Sequence, residues 1–193
     1  MIRRGFETTD PFTGTRLVVV KDAEDTGGRG WVTEVHCPES AAPWGSLHVH
    51  RTWTETFDIL QGTANCRLGT TVHTLRTGET LVMPPGVPHR HPWNVGSGVM
   101  VFRHTNEFGA STPEAVHDVI GAFATMNGLA RVGRAGRNGL PNNPLQLGAT
   151  VRRLTKHGAF DAVIPIPIQL ALGATLGRLA ESLGYRAVDE RYL

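Results

Sequence analysis

Two cysteines, Cys37 and Cys66, are all that a chain of 193 residues carries. So few exclude a disulfide-stapled scaffold and fit a reducing compartment. Charge of one sign is lacking too. The chain has 19 Lys+Arg against 17 Asp+Glu, a net +2, without the strong basic excess of a nucleic-acid-binding surface. The surplus sits at one end: residues 131–193 hold 9 basic and 4 acidic side chains, residues 1–130 hold 10 and 13. The uncharged run Ala162–Gly177 is 16 residues and is interrupted by Pro165 and Pro167. A spanning helix needs ~20. The opening MIRRGFETTDPF has two arginines and no apolar run behind them, so it does not read as a secretory signal. The expectation is a cytoplasmic protein, with no nucleic-acid partner and no membrane contact.

Turn formers are abundant instead, with 23 glycines and 12 prolines. Residues 1–14 read as an irregular entry arm broken by Pro11 and Gly14. Strands are expected at Arg16–Lys21, Trp31–His36, Thr63–Leu68, Thr71–Leu75, Thr80–Met83 and Val99–His104. Gly69–Thr70 marks a hairpin, and Pro38–Pro43 a loop near one mouth of the fold. Strands this closely spaced, with no helix between them, make an antiparallel barrel or sandwich. The period then changes. Ser111–Glu114 starts a helix with Val116, Val119, Ile120 and Phe123 on one stripe and Gly128 at its end. Asn143–Pro144 starts a second, with Leu147, Val151 and Leu154 on one face, after the basic glycine-rich linker 131–141. An extended segment Val163–Pro167 leads to a third, along which Ile168, Leu172, Leu176, Leu179 and Leu183 align before Gly184. The expected division is a barrel with its arm at 1–110 and a helical extension at 111–193, packed on the barrel or on a partner subunit.

Histidines gather in two stretches. In GSLHVHRTWTETFDILQG, His48 and His50 are two apart and share a strand face, with Val49 on the other. Glu55 follows close behind, and Phe57 and Ile59 keep its parity. In GETLVMPPGVPHRHPWN, the Pro84–Gly86 turn presents His89. His91, two residues further, competes for the same role and is expected to face outward. His104 has the parity of Met100 and Phe102 and is expected in the pocket. Cys66 alternates with Ala64 and Leu68 and is expected inside. Imidazoles with one carboxylate suit zinc or divalent iron, manganese, nickel or cobalt, and suit calcium poorly.

These residues resemble the two motifs of the cupin superfamily. The first runs His-x-His, then a glutamate after three or four residues, then a glycine after six; His48, His50, Glu55 and Gly62 match it. The second runs glycine, five residues, Pro-x-Gly, two residues, histidine, three residues, asparagine; Gly78, Pro84, Gly86 and His89 match it. Ala42 stands where the family opens with glycine, and Asn94 is one position late, with Trp93 in its place. The resemblance extends over about Leu17 to Thr105 and implies a mainly β fold, a double-stranded β-helix, jelly-roll-like barrel with a C-terminal α-helical extension. It implies one divalent metal ion held by His48, His50, Glu55 and His89, and pairing of barrels as a homodimer. A pocket of Phe57, Ile59, Cys66, Leu81, Met83, Met100, Phe102 and His104, with Trp53 and Trp93 at its rim, suits a small apolar or aromatic molecule. Dioxygenase-like, isomerase-, cyclase- or decarboxylase-like chemistry fits the resemblance. So does a non-catalytic small-molecule-binding protein.

Overall fold

The computed structural model describes every residue except Ser40, Ala41, Ala42 and Trp44. Three of the six residues of the loop expected at Pro38–Pro43, Ala42 among them, lie outside the described residues. Eleven strands occur among those described: β1 Glu7–Thr9, β2 Arg16–Lys21, β3 Gly30–Cys37, β4 His48–His50, β5 Trp53–Gln61, β6 Thr63–Leu68, β7 Thr71–Arg76, β8 Thr80–Met83, β9 His89–Asn94, β10 Met100–Phe108 and β11 Ala159–Asp161. They form two antiparallel sheets, ordered β1-β2-β3-β10-β5-β8 and β11-β4-β9-β6-β7. The first residues, expected to be irregular, contain the edge strand β1, whose Thr8 hydroxyl accepts a hydrogen bond from Asn127. The fold is the mainly β double-stranded β-helix with C-terminal helices.

Alternation builds the interior. Along β5, Trp53, Glu55, Phe57 and Ile59 point inward; along β10, Met100, Phe102, His104, Asn106 and Phe108 do. The two strands pair so that Phe57 faces His104 and Glu55 faces Asn106. Gly62, at φ +89°, makes the turn from β5 to β6, where an added Cβ would meet the Met100 backbone at 3.2 Å.

The helices follow: α1 Pro113–Arg131, α2 Pro144–Lys156, α3 Ile166–Leu172 and α4 Arg178–Ser182, the last two joined through a π-helical turn at Gly173–Gly177. Helix α1 lies over β1 and β3. Its Val116, Val119 and Ile120 join the barrel's own core, each side chain contributing about 1.5–3 kcal/mol by burial. It does not end at Gly128. That glycine is buried in mid-helix because the Tyr192 ring lies against it.

Helix α2 starts at Asn143, whose side chain accepts from the Leu145 and Gln146 amides. Its buried line is Gln146, Gly148, Ala149 and Thr150, whereas Leu147, Val151 and Leu154 are only half-buried. The reason is a close approach. The α3–α4 rod lays Gly173, Gly177 and Ala180 on α2, and a Cβ on Gly148 would be 3.0 Å from Leu176. Part of that rod's aligned stripe therefore turns away: Ile168, Leu179 and Leu183 are 58 %, 52 % and 59 % exposed, while Leu172 and Leu176 stay half-buried. The helix also begins at Ile166, with Pro167 inside its first turn. No helix among the described residues is long and apolar enough to cross a membrane.

Between α2 and α3 the chain returns to the barrel. Strand β11 pairs with β4, Ala159 opposite His50, Phe160 opposite Val49 and Asp161 opposite His48. Gln169 pins β11, its amide donating to the Asp161 and Ile164 carbonyls and accepting from the Asp161 amide. A strand from the helical extension thus covers the outer edge of the histidine strand.

Candidate metal centre

Six polar side chains meet between the two sheets. His48 and His50 come from β4 and His89 and His91 from β9, with His48 opposite His89 in register. Glu55 and His104 come from β5 and β10 of the other sheet. Glu55 is 1 % exposed. Its Oε2 lies 2.8 Å from His89 Nε2 and 3.5 Å from His91 Nε2. Its Oε1 accepts a hydrogen bond from His104 Nε2 at 2.8 Å and lies 3.3 Å from His50 Nδ1. The two carboxylate oxygens therefore look at different pairs of imidazoles.

Ring packing fixes the imidazoles. His104 stacks on Phe57 at 4.5 Å and His50 on Trp53 at 3.8 Å between centroids. His48 stands edge-on to His89 and to His91 at 4.5 and 4.6 Å. His48 Nδ1 contacts the Ser46 carbonyl and His89 Nδ1 the Val87 carbonyl, each at 2.8 Å. A carbonyl only accepts, so both Nδ1 atoms carry a proton, and in each neutral ring Nε2 keeps a lone pair.

Burial drives the His48 imidazole well below its usual range, with the neighbouring His91 and His50 adding to the effect. Burial pushes His50 down to about 3 and lowers His91 as well. Burial would raise the Glu55 carboxyl, but His50, His104 and His91 outweigh it and hold the group well below its usual value. His89 is pushed down by burial and pulled up further by the Glu55 carboxylate beside it, for a net rise. His48, His50 and His91 are thus held toward the neutral form beside the Glu55 carboxylate, while His89 is shifted toward the charged form.

The residues fit a divalent ion. Glu55 Oε2 and His89 Nε2 are buried, 2.8 Å apart, and neither has a hydrogen-bond partner. Ligands sharing one ion at ~2.1 Å stand roughly 3–3.5 Å apart. One ligand atom each from His48, Glu55, His89 and His91 lie within 4.8 Å of one another, the grouping that the described residues offer a metal.

The sequence expectations divide here. His48, His50, Glu55 and His89 do converge, and His104 does face inward. His91 does not face outward: it is 4 % exposed, inside the cluster. It has the parity of His89, which the sequence reading set aside. Strand β9 also bulges against β6: Arg67 faces Arg90 and Asn65 faces Trp93, so His91 and Pro92 share one step, and both are buried. The extra residue is why Asn94 comes one position late. It is buried all the same, and its Nδ2 donates to the Cys37, Pro38 and Gly98 carbonyls. Phe57, Ile59, Cys66, Met83, Met100 and Phe102 are all buried in the interior and Leu81 is half-buried. Trp53, expected at the rim, is 2 % exposed under His50, while Trp93 is half-buried. The reading missed Asn106 and Thr33. Both are buried beside the cluster on inward positions of β10 and β3, with the Asn106 amide and Thr33 hydroxyl atoms lacking hydrogen-bond partners, as does Trp53 Nε1. A period-2 reading of 100–108 carried through to Asn106 would have found it.

Residues 37–105 match the cupin domain family. No curated protein matches the sequence. Among solved structures, a predicted oxalate decarboxylase from Thermotoga maritima is similar over 56 % of this chain and 99 % of its own, at 15 % identity and a TM-score of 0.48. An uncharacterized conserved protein with a double-stranded β-helix domain from Klebsiella pneumoniae is similar over 49 % and 76 %, at 22 % identity and 0.41. The cupin domain of Schizosaccharomyces pombe Cnp3 is similar over 49 % and 64 %, at 16 % identity and 0.40. Both motifs in sequence and the family match over residues 37–105 support the cupin superfamily for the barrel part of this chain.

Proposed function

We propose that the protein is a metal-dependent enzyme acting on a small organic molecule inside the barrel. One observation carries the reading: a carboxylate 1 % exposed, ringed by imidazoles from two sheets, at a place where plain hydrophobic core would cost the fold nothing. His48, Glu55 and His89 hold the ion, with a fourth ligand from His50 or His91. When bound, a divalent ion supplies Lewis-acid polarisation of an oxygen and, if iron, an electron. Iron-dependent oxygenation is the favoured chemistry, and isomerase- or cyclase-like chemistry is the next.

The surrounding residues suit that role. Phe57, Met83, Met100 and Phe102 wall the interior and exclude water, which favours an apolar or aromatic substrate. Asn106 and Thr33, with Trp53 Nε1, supply polar atoms that have no partner within the protein and are available to orient a substrate oxygen or nitrogen. His104 holds Glu55 from the side away from His89.

Elemental analysis of protein purified without chelator tests the reading. About one metal per chain is expected; less than roughly a tenth, after reconstitution with iron, manganese, nickel and zinc, refutes it. Iron-loaded protein should then consume dioxygen with small aromatic substrates while zinc-loaded protein does not. Equal behaviour of the two removes the oxygenase chemistry and leaves the metal site.

A further inference from the structure

We propose that the outward face of the α3–α4 rod seats a second copy of this chain, the two rods lying antiparallel about a two-fold axis at Thr175. The pairing runs through the helical extension, not through the barrels, and it does not depend on a metal.

The rod is amphipathic the wrong way round. A surface helix ordinarily buries its large apolar side chains and shows charge to water. Here the small residues Gly173, Gly177 and Ala180 are buried against α2, and Ile168, Ala171, Thr175, Leu179 and Leu183 are exposed on the outside. Steps of four residues drift around a plain α-helix. The wider π-helical turn at Gly173–Gly177 takes up that drift and keeps the five in one line. From Ala162 to Leu183 the charged residues are Arg178 and Glu181, and Glu181 is turned back to Arg152 of α2 at 2.9 Å.

The exposed area is what a partner of this size would cover. Val163 and Ile164 extend the line just before the rod, and Leu172 and Leu176 flank it half-buried. Single exposed leucines are ordinary, but these side chains together present on the order of 600 Å² in one patch, more than a monomer usually leaves open. A stable dimer interface takes ~800 Å² from each partner.

The line also matches itself. Its steps of 3-4-4-4 read nearly alike from either end. Antiparallel copies set Ile168 opposite Leu183, Ala171 opposite Leu179 and Thr175 opposite Thr175, the self-complementarity that a two-fold contact demands. Leu179 meets a small partner in Ala171, and small side chains near the axis let two helices approach to about 8 Å. Arg178 falls opposite Leu172 of the copy. A parallel pair would instead place Arg178 beside Arg178, which disfavours it.

Sedimentation velocity of the full-length protein tests the pairing. At about 50 µM, well above a micromolar Kd, the mass should be twice the 20.9 kDa of one chain. Leu179→Glu should keep the circular dichroism spectrum, because that side chain is exposed, and weaken association at least ~100-fold. Cysteine cross-linking then reads the register, since Cys37 and Cys66 are buried. Thr175→Cys should cross-link to its own copy under mild oxidation. Ile168→Cys should do so only when mixed with Leu183→Cys. A wild-type monomer at that concentration overturns the proposal, as does a dimer that survives Leu179→Glu or an Ile168→Cys chain that cross-links to itself as readily as to Leu183→Cys. A monomer that instead binds vesicles of anionic phospholipid through this face overturns it too.

Discussion

Asp118 offers a quantitative test of how the helices are fastened to the barrel. This carboxylate is buried on α1 and accepts a 2.6 Å hydrogen bond from His157 Nε2, at the end of α2. Arg153 lies 3.3 Å away and Lys156 3.7 Å. His157 in turn accepts the Thr52 hydroxyl through its carbonyl, just before β11 joins β4. Asp118→Asn keeps the shape and removes the charge. A buried hydrogen bond to a charged group contributes ~1.5–3 kcal/mol. The Arg153 side chain is about a third exposed, which reduces its share to a few tenths of a kcal/mol, and the more exposed Lys156 adds nothing measurable. The expected loss is therefore ~2–3 kcal/mol, or ~4–10 °C in Tm for a chain of this length. Its pH dependence has a definite sign. Burial alone would raise the Asp118 carboxyl; the His157 hydrogen bond and the Arg153 charge outweigh it, and the net shift is downward from 3.8. A depressed acid stabilises the fold fully above its unfolded value and loses that contribution as pH falls through the folded one. Urea unfolding of wild type and variant should differ by the full amount at neutral pH and converge below about pH 4. A difference under ~0.5 kcal/mol, or one that persists unchanged into acid, refutes the reasoning.

Other residues give sharper local tests. His104→Phe should leave the barrel folded by circular dichroism yet weaken metal binding ~10–100-fold, and His104→Gln, whose amide can donate to Glu55, should recover part of that; equal loss in both would make His104 structural only. Gly128→Ala forces a methyl into the Tyr192 ring, and its gain in helix propensity of ~1 kcal/mol should be outweighed by displacement of the C-terminal segment, seen as faster proteolysis there. Leu179→Ser with Leu183→Ser should change the dissociated chain's unfolding free energy by less than ~1 kcal/mol, because both side chains are more than half exposed; a large loss would mean that this face is covered by the chain itself.

Local spacing was enough to read most of the barrel. Arg16–Lys21, Thr63–Leu68 and Thr80–Met83 are strands with the ends that β-branched content and flanking glycines give them. The pairing of His48 with His50 survives into the fold because a period of two fixes the face along a single strand, while Glu55 meets them from β5 of the other sheet. Where several elements share one position, local pattern fails. Strand β11 is three residues with no alternation to betray it, and it exists because β4 offers an open edge. The outward turn of Leu179 and Leu183 was not legible either: a helix with two candidate faces buries the one that permits close approach, and glycines at 173 and 177 permit it against α2. The sequence alone thus determined the strand periodicity, the turns and a histidine-and-glutamate centre, all properties of neighbours along the chain. Which oxygen of Glu55 faces which imidazole, whether His91 enters, and what braces the histidine strand were decided in tertiary structure, because each depends on side chains brought together from strands far apart in the chain.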